Sequence, residues 1–178
     1  MPIVIREGRI EDSKGIATVH LVAWQKSYRD FFPHEKLDNY SIEEYALTWE
    51  KRIQSNDENE ICLFVAEDKE SGIVGFATGG RAGKFDKPST FDCEIYTIYV
   101  LNDYHRRGIG SALVQQLLQV FRSKEWKTMI IWTFKESIFR LFYEKLGGVP
   151  SESQKYEKWD TKHELSGYVW DNISEISL

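Results

Sequence analysis

Hydrophobic positions in this chain recur with two periods, and the switches between them mark out the elements. The run at 3–7 reads as a short first strand. Asp12 then stands as the cap of a helix whose Ile16, Val19, Ala23 and Trp24 keep the three-four spacing of one buried face. Residues 24–33 are dense in rings, with Trp24, Tyr28, Phe31 and Phe32, and stop at Pro33, which predicts an aromatic turn. Ser41-Ile42-Glu43-Glu44 is a capping box opening a second helix, with Tyr45, Ala46, Trp49 and Ile53 on one side. After a polar break at 56–59, the stretches 61–67 and 73–81 read as strands joined by a hairpin turn. Gly79, Gly80 and Gly83, with Lys84 and Pro88, predict a loose hairpin tip rather than a nucleotide loop.

The stretch 93–113 organises the rest. Its apolar, β-branched and aromatic run at 95–101 predicts a buried strand. Strict alternation would set Glu94, Tyr96, Ile98 and Val100 on one side, and Ile95, Thr97 and Tyr99 on the other. Asn102-Asp103 ends the strand, and Arg106-Arg107-Gly108-Ile109-Gly110-Ser111 follows. Next comes an amphipathic helix through Leu113, Leu117, Val120 and Phe121 to about 124. A glycine-rich turn feeding a helix start leaves main-chain N–H groups unpartnered at the positive end of the helix dipole, which suits a phosphate. The two common phosphate loops do not fit: the dinucleotide fingerprint needs glycine where Leu113 stands, and Gly-Lys-Ser/Thr is absent. Beyond it, 128–134 predicts a strand, 135–148 a helix stopped by Gly147-Gly148, and 155–159 with 164–170 two closing strands.

Composition narrows the classes. At 178 residues, with 42% apolar and 14% aromatic content, the chain fits one domain spanning 1–178 with a substantial core. A net charge of −5 carries no basic footprint for nucleic acid and mildly favours cationic partners. Cys62 and Cys93 fall inside predicted strands and read as two reduced core thiols. His20, His34, His105 and His163 are scattered without ligand spacing, so no metal is expected. No stretch reads as a signal peptide or membrane span, and a cytoplasmic protein with no membrane partner is expected.

His105-Arg106-Arg107-Gly108-Ile109-Gly110, preceded by the strand Ile98-Tyr99-Val100, resembles motif A of the GNAT superfamily, the GCN5-related N-acetyltransferases, written Gln/Arg-x-x-Gly-x-Gly/Ala. Phe142-Tyr143-Glu144-Lys145-Leu146-Gly147 resembles its motif B, with Glu136 where asparagine is usual and Phe139 where alanine is usual. His105 also departs from the pattern. The resemblance covers nearly the whole chain and implies an α/β fold, a mixed α+β sheet in the order β-α-α-β-β-β-α-β-α-β-β, splayed at its centre. It further implies acetyl-CoA as co-substrate. The pantetheine arm would pair with main chain around Ile98, Tyr99 and Val100, the pyrophosphate would rest on amides from Arg106 through Gly108, Ile109 and Gly110 to Ser111, and position 136 would face the arm. Glu136 only accepts hydrogen bonds, whereas an amide also donates, so that last contact is altered here.

By the same resemblance Tyr143 is the candidate acid at the departing sulfur and Glu94 the candidate base for the amine. Glu94 equally reads as an orienting carboxylate or an exposed strand-end charge, and Tyr143 as an anchor for the arm. Trp24, Tyr28, Phe31, Phe32 and Tyr96 are candidate walls of the acceptor site. The activity implied is direct acetyl transfer to an amine, on a small molecule or on a protein. A non-catalytic coenzyme A-binding module is the alternative left by Glu136 and Phe139, and a homodimer stays open.

Overall fold

The computed structural model describes residues 3–55, 61–83 and 89–178. The polar break expected at 56–59 and the loop residues Lys84 and Pro88 lie outside the described residues. The elements are β1 (Val4–Glu7), α1 (Ser13–Tyr28), α2 (His34–Asp38), α3 (Ile42–Gln54), β2 (Ile61–Asp68), β3 (Gly72–Arg81), β4 (Cys93–Val100), α4 (Ile109–Ser123), β5 (Met129–Phe134), α5 (Arg140–Lys145), β6 (Val149–Lys158) and β7 (Thr161–Trp170). They form one seven-stranded sheet in the order β1-β2-β3-β4-β5-β7-β6. The expected order holds, with α2 added directly after the aromatic turn. Leu37 drives that addition: it is fully buried, and Gln25 donates to its carbonyl at 2.9 Å.

Every neighbouring pair is antiparallel except β4 and β5, which run parallel and touch only at Cys93↔Met129 and Glu94↔Ile130. Beyond Glu94 the two strands part. The joined end is held by Asp92, whose carboxylate accepts from Lys127 N at 2.8 Å and Thr128 N at 3.0 Å. Those amides hold the Asp92 carboxyl below its usual range. The sheet therefore has a fixed apex and an open mouth between β4 and β5.

The simple alternation expected for β4 is overturned. Thr78 pairs Thr97 but Gly79 pairs Ile95, so Tyr96 is an extra residue, a β-bulge. The phase flips there: Cys93, Ile95, Ile98 and Val100 all pack toward α4, while Tyr99 packs on the opposite, α1 side. Glu94 pairs Gly80, two residues from the Thr78 that faces Thr97, and so shares the α1 side with them. Gly79 is required opposite the bulge, since a Cβ there would lie 2.8 Å from both Glu94 O and the Phe121 ring.

Two faces bury two cores. Ile109, Leu113, Leu117 and Phe121, spaced four apart along α4, fill one side of the sheet, each worth about 1.5–3 kcal/mol of apolar burial. α1 and α3 cover the other, Ile16, Val19 and Trp49 packing onto Phe76 of β3. Asp12 does occupy the head of α1, but its carboxylate accepts from Arg6 and from Arg9 N rather than capping the helix. Ser41 caps α3 as expected, accepting from Glu44 N at 3.3 Å. The helix expected over 135–148 shrinks to α5. Ser137 is buried there, its hydroxyl accepts from Phe139 N at 3.2 Å and its carbonyl from Arg140 N, so side-chain bonding turns the chain before the helix starts. Gly147, at φ +83°, ends it with Gly148 N reaching back to Tyr143 O, as a left-handed cap does.

Candidate functional site

The open mouth of the sheet meets the head of α4. The loop between β4 and α4 holds Arg106 at φ 60° and Gly108 at φ 75°, two left-handed residues that curl the backbone into a concave turn. The first bond of α4 runs from Ala112 N to Gly108 O, so the amides ahead of it have no helical acceptor. A concave run of free amides at a helix N-terminus is an anion cradle. Ile109 is buried beneath it, and Phe142 packs against Gly110. Arg106 and Arg107 are exposed beside it, the Arg107 guanidinium lying 4.8 Å over the Tyr104 ring. His105, the unusual residue of this loop, donates from Nε2 to Val100 O at 2.9 Å and so braces the loop against the end of β4. Phe139 stands edge-on to His105 with ring centres 6.3 Å apart. Glu136 lies exposed in the turn after β5.

Three phenols gather where the strands part. Tyr143 of α5 belongs to the core on the α4 side, and Tyr28 of α1 to an aromatic cluster on the other face. They lie close enough for the charge of one to disfavour ionisation of the other. The Tyr99 and Tyr28 hydroxyls share a hydrogen bond. Burial pushes all three phenols above the usual tyrosine range, so each keeps its proton at neutral pH. Glu94 sits at the apex, half-buried on the α1 side, accepting from Gly83 N at 3.4 Å.

A pocket of about 220 Å³ opens beside the phenols. Trp24, Tyr28 and Phe32 from the first helix and its turn line it, opposite Tyr99, Trp132 and Phe134 from the parted strands, with Tyr156 and Lys158 from β6. Two expected wall residues lie elsewhere. Phe31 stacks behind Phe134 at 5.0 Å, and Tyr96, the bulge residue, points its hydroxyl to Arg81 O at 2.6 Å. Tyr99, expected only as main chain along the split, contributes its ring to the pocket. Trp132, Tyr156 and Lys158 were not singled out from the sequence. The alternation of Trp132 with Phe134 is the available signal for the first; the other two depend on how β6 pairs with β7 at the sheet edge.

Among the described residues no group of three or more His, Cys, Asp or Glu stands together to hold a metal ion, and no helix is long and apolar enough to cross a membrane. The cysteines are free thiols, Cys93 buried and Cys62 partly so.

A parallel pair that splays beside an amide cradle defines a class, and comparison with known proteins names it. The model of the Acetyltransferase (GNAT) family matches residues 21–148, and the chain belongs to that family. Over 174 residues it is 25% identical to an uncharacterized N-acetyltransferase, YuaI, of Bacillus subtilis (strain 168), covering 98% of this chain and 96% of that one. Its fold is similar to that of the PaiA N-acetyltransferase of Thermoplasma acidophilum in complex with coenzyme A (TM-score 0.70, 19% identity, 94% of this chain and 100% of that one). It is also similar to YncA of Salmonella typhimurium, a putative acetyltransferase with its cofactor acetyl-CoA (TM-score 0.67, 15% identity, 100% and 98%). The protein is a GNAT N-acetyltransferase.

Proposed function

We propose that residues 1–178 work as one acetyltransferase domain in which the split between β4 and β5 receives acetyl-CoA and the aromatic pocket receives the amine. The observation that carries this reading is the two-residue parallel contact of β4 with β5, opening directly beside the cradle at the head of α4. Acetyl-CoA fits what stands there: a diphosphate for the free amides from Arg106 to Ser111, two guanidinium groups beside them, and an unpaired strand edge along Ile98 to Val100 for the amide-bearing arm. Glu136, an acceptor-only group in the turn after β5, is assigned a lesser contact with that arm. When bound, acetyl-CoA supplies an acetyl group already activated as a thioester.

The chain's own residues then have positioning and proton work. The pocket walls hold the amine near the split and keep bulk water off it, which favours its neutral, nucleophilic form. Glu94, directly or through a water, accepts the amine's surplus proton at its carboxylate. Tyr143 Oη, kept protonated by burial, holds a proton ready for the leaving sulfur. Trp24, Tyr28 and Phe32 shape the acceptor side; Phe31 supports Phe134 from behind, and Tyr96 sets the bulge that puts Glu94 on the α1 side of the sheet. A small molecule or an exposed protein amino group suits such a pocket, and free thiols accord with a cytoplasmic place of action.

Release of free coenzyme A thiol on mixing the protein with acetyl-CoA and an amine panel tests the reading. Thiol release that depends on an amine, and that Tyr143→Phe combined with Glu94→Gln abolishes, is expected. Coenzyme A binding without turnover across a broad panel would instead mark a non-catalytic module.

A further inference from the structure

The acceptor pocket has an unusual electrical character for a chain whose net charge is −5. Of the described residues that line it, Lys158 alone carries a formal charge, and none is a carboxylate. Its ammonium lies 4.4 Å over the Trp159 ring and 5.4 Å over Trp24. Among the described residues it makes no ion pair; the neighbouring Glu157 pairs with Lys162 at 3.5 Å. Burial against these rings lowers the Lys158 pKa from its ordinary value, as expected of a cation given aromatic faces but no anion. The rest of the lining is aromatic apart from Thr133 and Leu165. Trp24 lies next to Lys158, and Tyr28, one helical turn along α1, lies next to the phenols at the split. The pocket thus has a proton-handling end, an aromatic middle and a cationic end.

We infer that the acceptor is a small amine with an apolar or aromatic body that also bears an anionic group, and that Lys158 receives that group while the amine sits at the phenols. The inference rests on the reading that this pocket takes the acceptor. A polyamine finds no carboxylate on these walls and meets a like charge, which costs affinity. A carboxylate or phosphonate finds a half-desolvated ammonium, where a charge-assisted contact is stronger than in open water. At about 220 Å³ the space is smaller than the several hundred Å³ of sites for drug-sized ligands, in keeping with an acceptor of amino-acid size.

Matched pairs of amines test it with thiol release as readout: phenylalanine against phenethylamine, tryptophan against tryptamine, para-(aminomethyl)benzoate against benzylamine, with spermidine alongside. The carboxylated member of at least one pair is expected to show kcat/KM about tenfold or more above its neutral partner. Lys158→Met, which keeps the apolar stem, should erase that preference, and Lys158→Glu should turn it toward the neutral amines and spermidine. Preference for neutral or cationic amines, preference that survives Lys158→Met, or no turnover of any carboxylated amine would overturn the inference. Calorimetry with coenzyme A on the same preparations separates the two levels: intact binding confines the failure to the acceptor class, while absent binding removes the reading on which it rests.

Discussion

Tyr143 carries its phenol in the core on the α4 side of the sheet, 7% exposed and ringed by Phe142 and Tyr168. Burial keeps its proton on across the neutral range, the condition for an acid that gives a proton late. Tyr143→Phe leaves the packing almost unchanged, so kcat should fall by roughly 10–100-fold with KM for acetyl-CoA little altered, measured by steady-state thiol release. His20 makes a different test at the same scale. It is stacked on Tyr99 at 4.9 Å among Tyr45, Trp49 and Phe76, with Nδ1 unpartnered. Burial first, and the Arg52 charge second, lower its pKa to about 3. Above pH 6.5 the imidazole is neutral both folded and unfolded, and has no effect. As pH falls from 6.5 toward 3 the unfolded chain takes up a proton that the folded one refuses, so stability is lost across that window, by about 5 kcal/mol at most. His20→Phe should flatten the acid side of a plot of denaturation midpoint against pH; an unchanged slope would show that His20 does not contribute.

At the scale of elements, the site depends on β4 and β5 meeting at one end only. Asp92 ties the apex by accepting from two amides and, at 3.2 Å, from the Thr128 hydroxyl. Asp92→Ala leaves those donors without their carboxylate, and urea denaturation should show a loss of about 1–3 kcal/mol together with reduced acetyl transfer. Much at this level was legible in advance. The α4 stripe, the β2–β3 hairpin and the glycine turn follow from local periodicity and turn chemistry, which need no tertiary partner. The bulge at Tyr96 was not legible, because it is imposed by β3, where Gly79 admits Glu94 O closely. The early end of the 135–148 helix was hidden for a similar reason: Ser137 looks like any helix-surface serine until it is buried. β6 was read too short because Val149–Lys158 is an edge strand whose first half is exposed on both faces, leaving no alternation to read.

For the molecule as a whole, the phosphate end of the site was the most readable part and the acceptor end the least. A cradle for an anion is built from consecutive residues, Arg106 to Ser111, and is written locally. The pocket is assembled from α1, β4, β5, β6, β7 and the turn after α1, so only the contributors from the first helix and its turn, Trp24, Tyr28 and Phe32, could be anticipated. The overall negative charge suggested cationic partners, yet the pocket itself carries one lysine, because net charge averages over a surface that the acceptor never meets. A ligand bridging the parted strands links both halves of the sheet and binds only the folded state. Coenzyme A at one hundred times its dissociation constant should therefore raise the thermal midpoint by ~5–10 °C.

The most direct test of the split and its cradle is isothermal titration of coenzyme A into the protein and into Gly108→Val. Gly108 sits at φ +75° with open space around its missing Cβ, so valine strains the cradle's backbone without pressing on the core. Saturable binding at one coenzyme A per chain, weakened at least about tenfold in a variant that still unfolds cooperatively, is the expected result. No heat from well-folded protein, or equal affinity in Gly108→Val, would contradict the account.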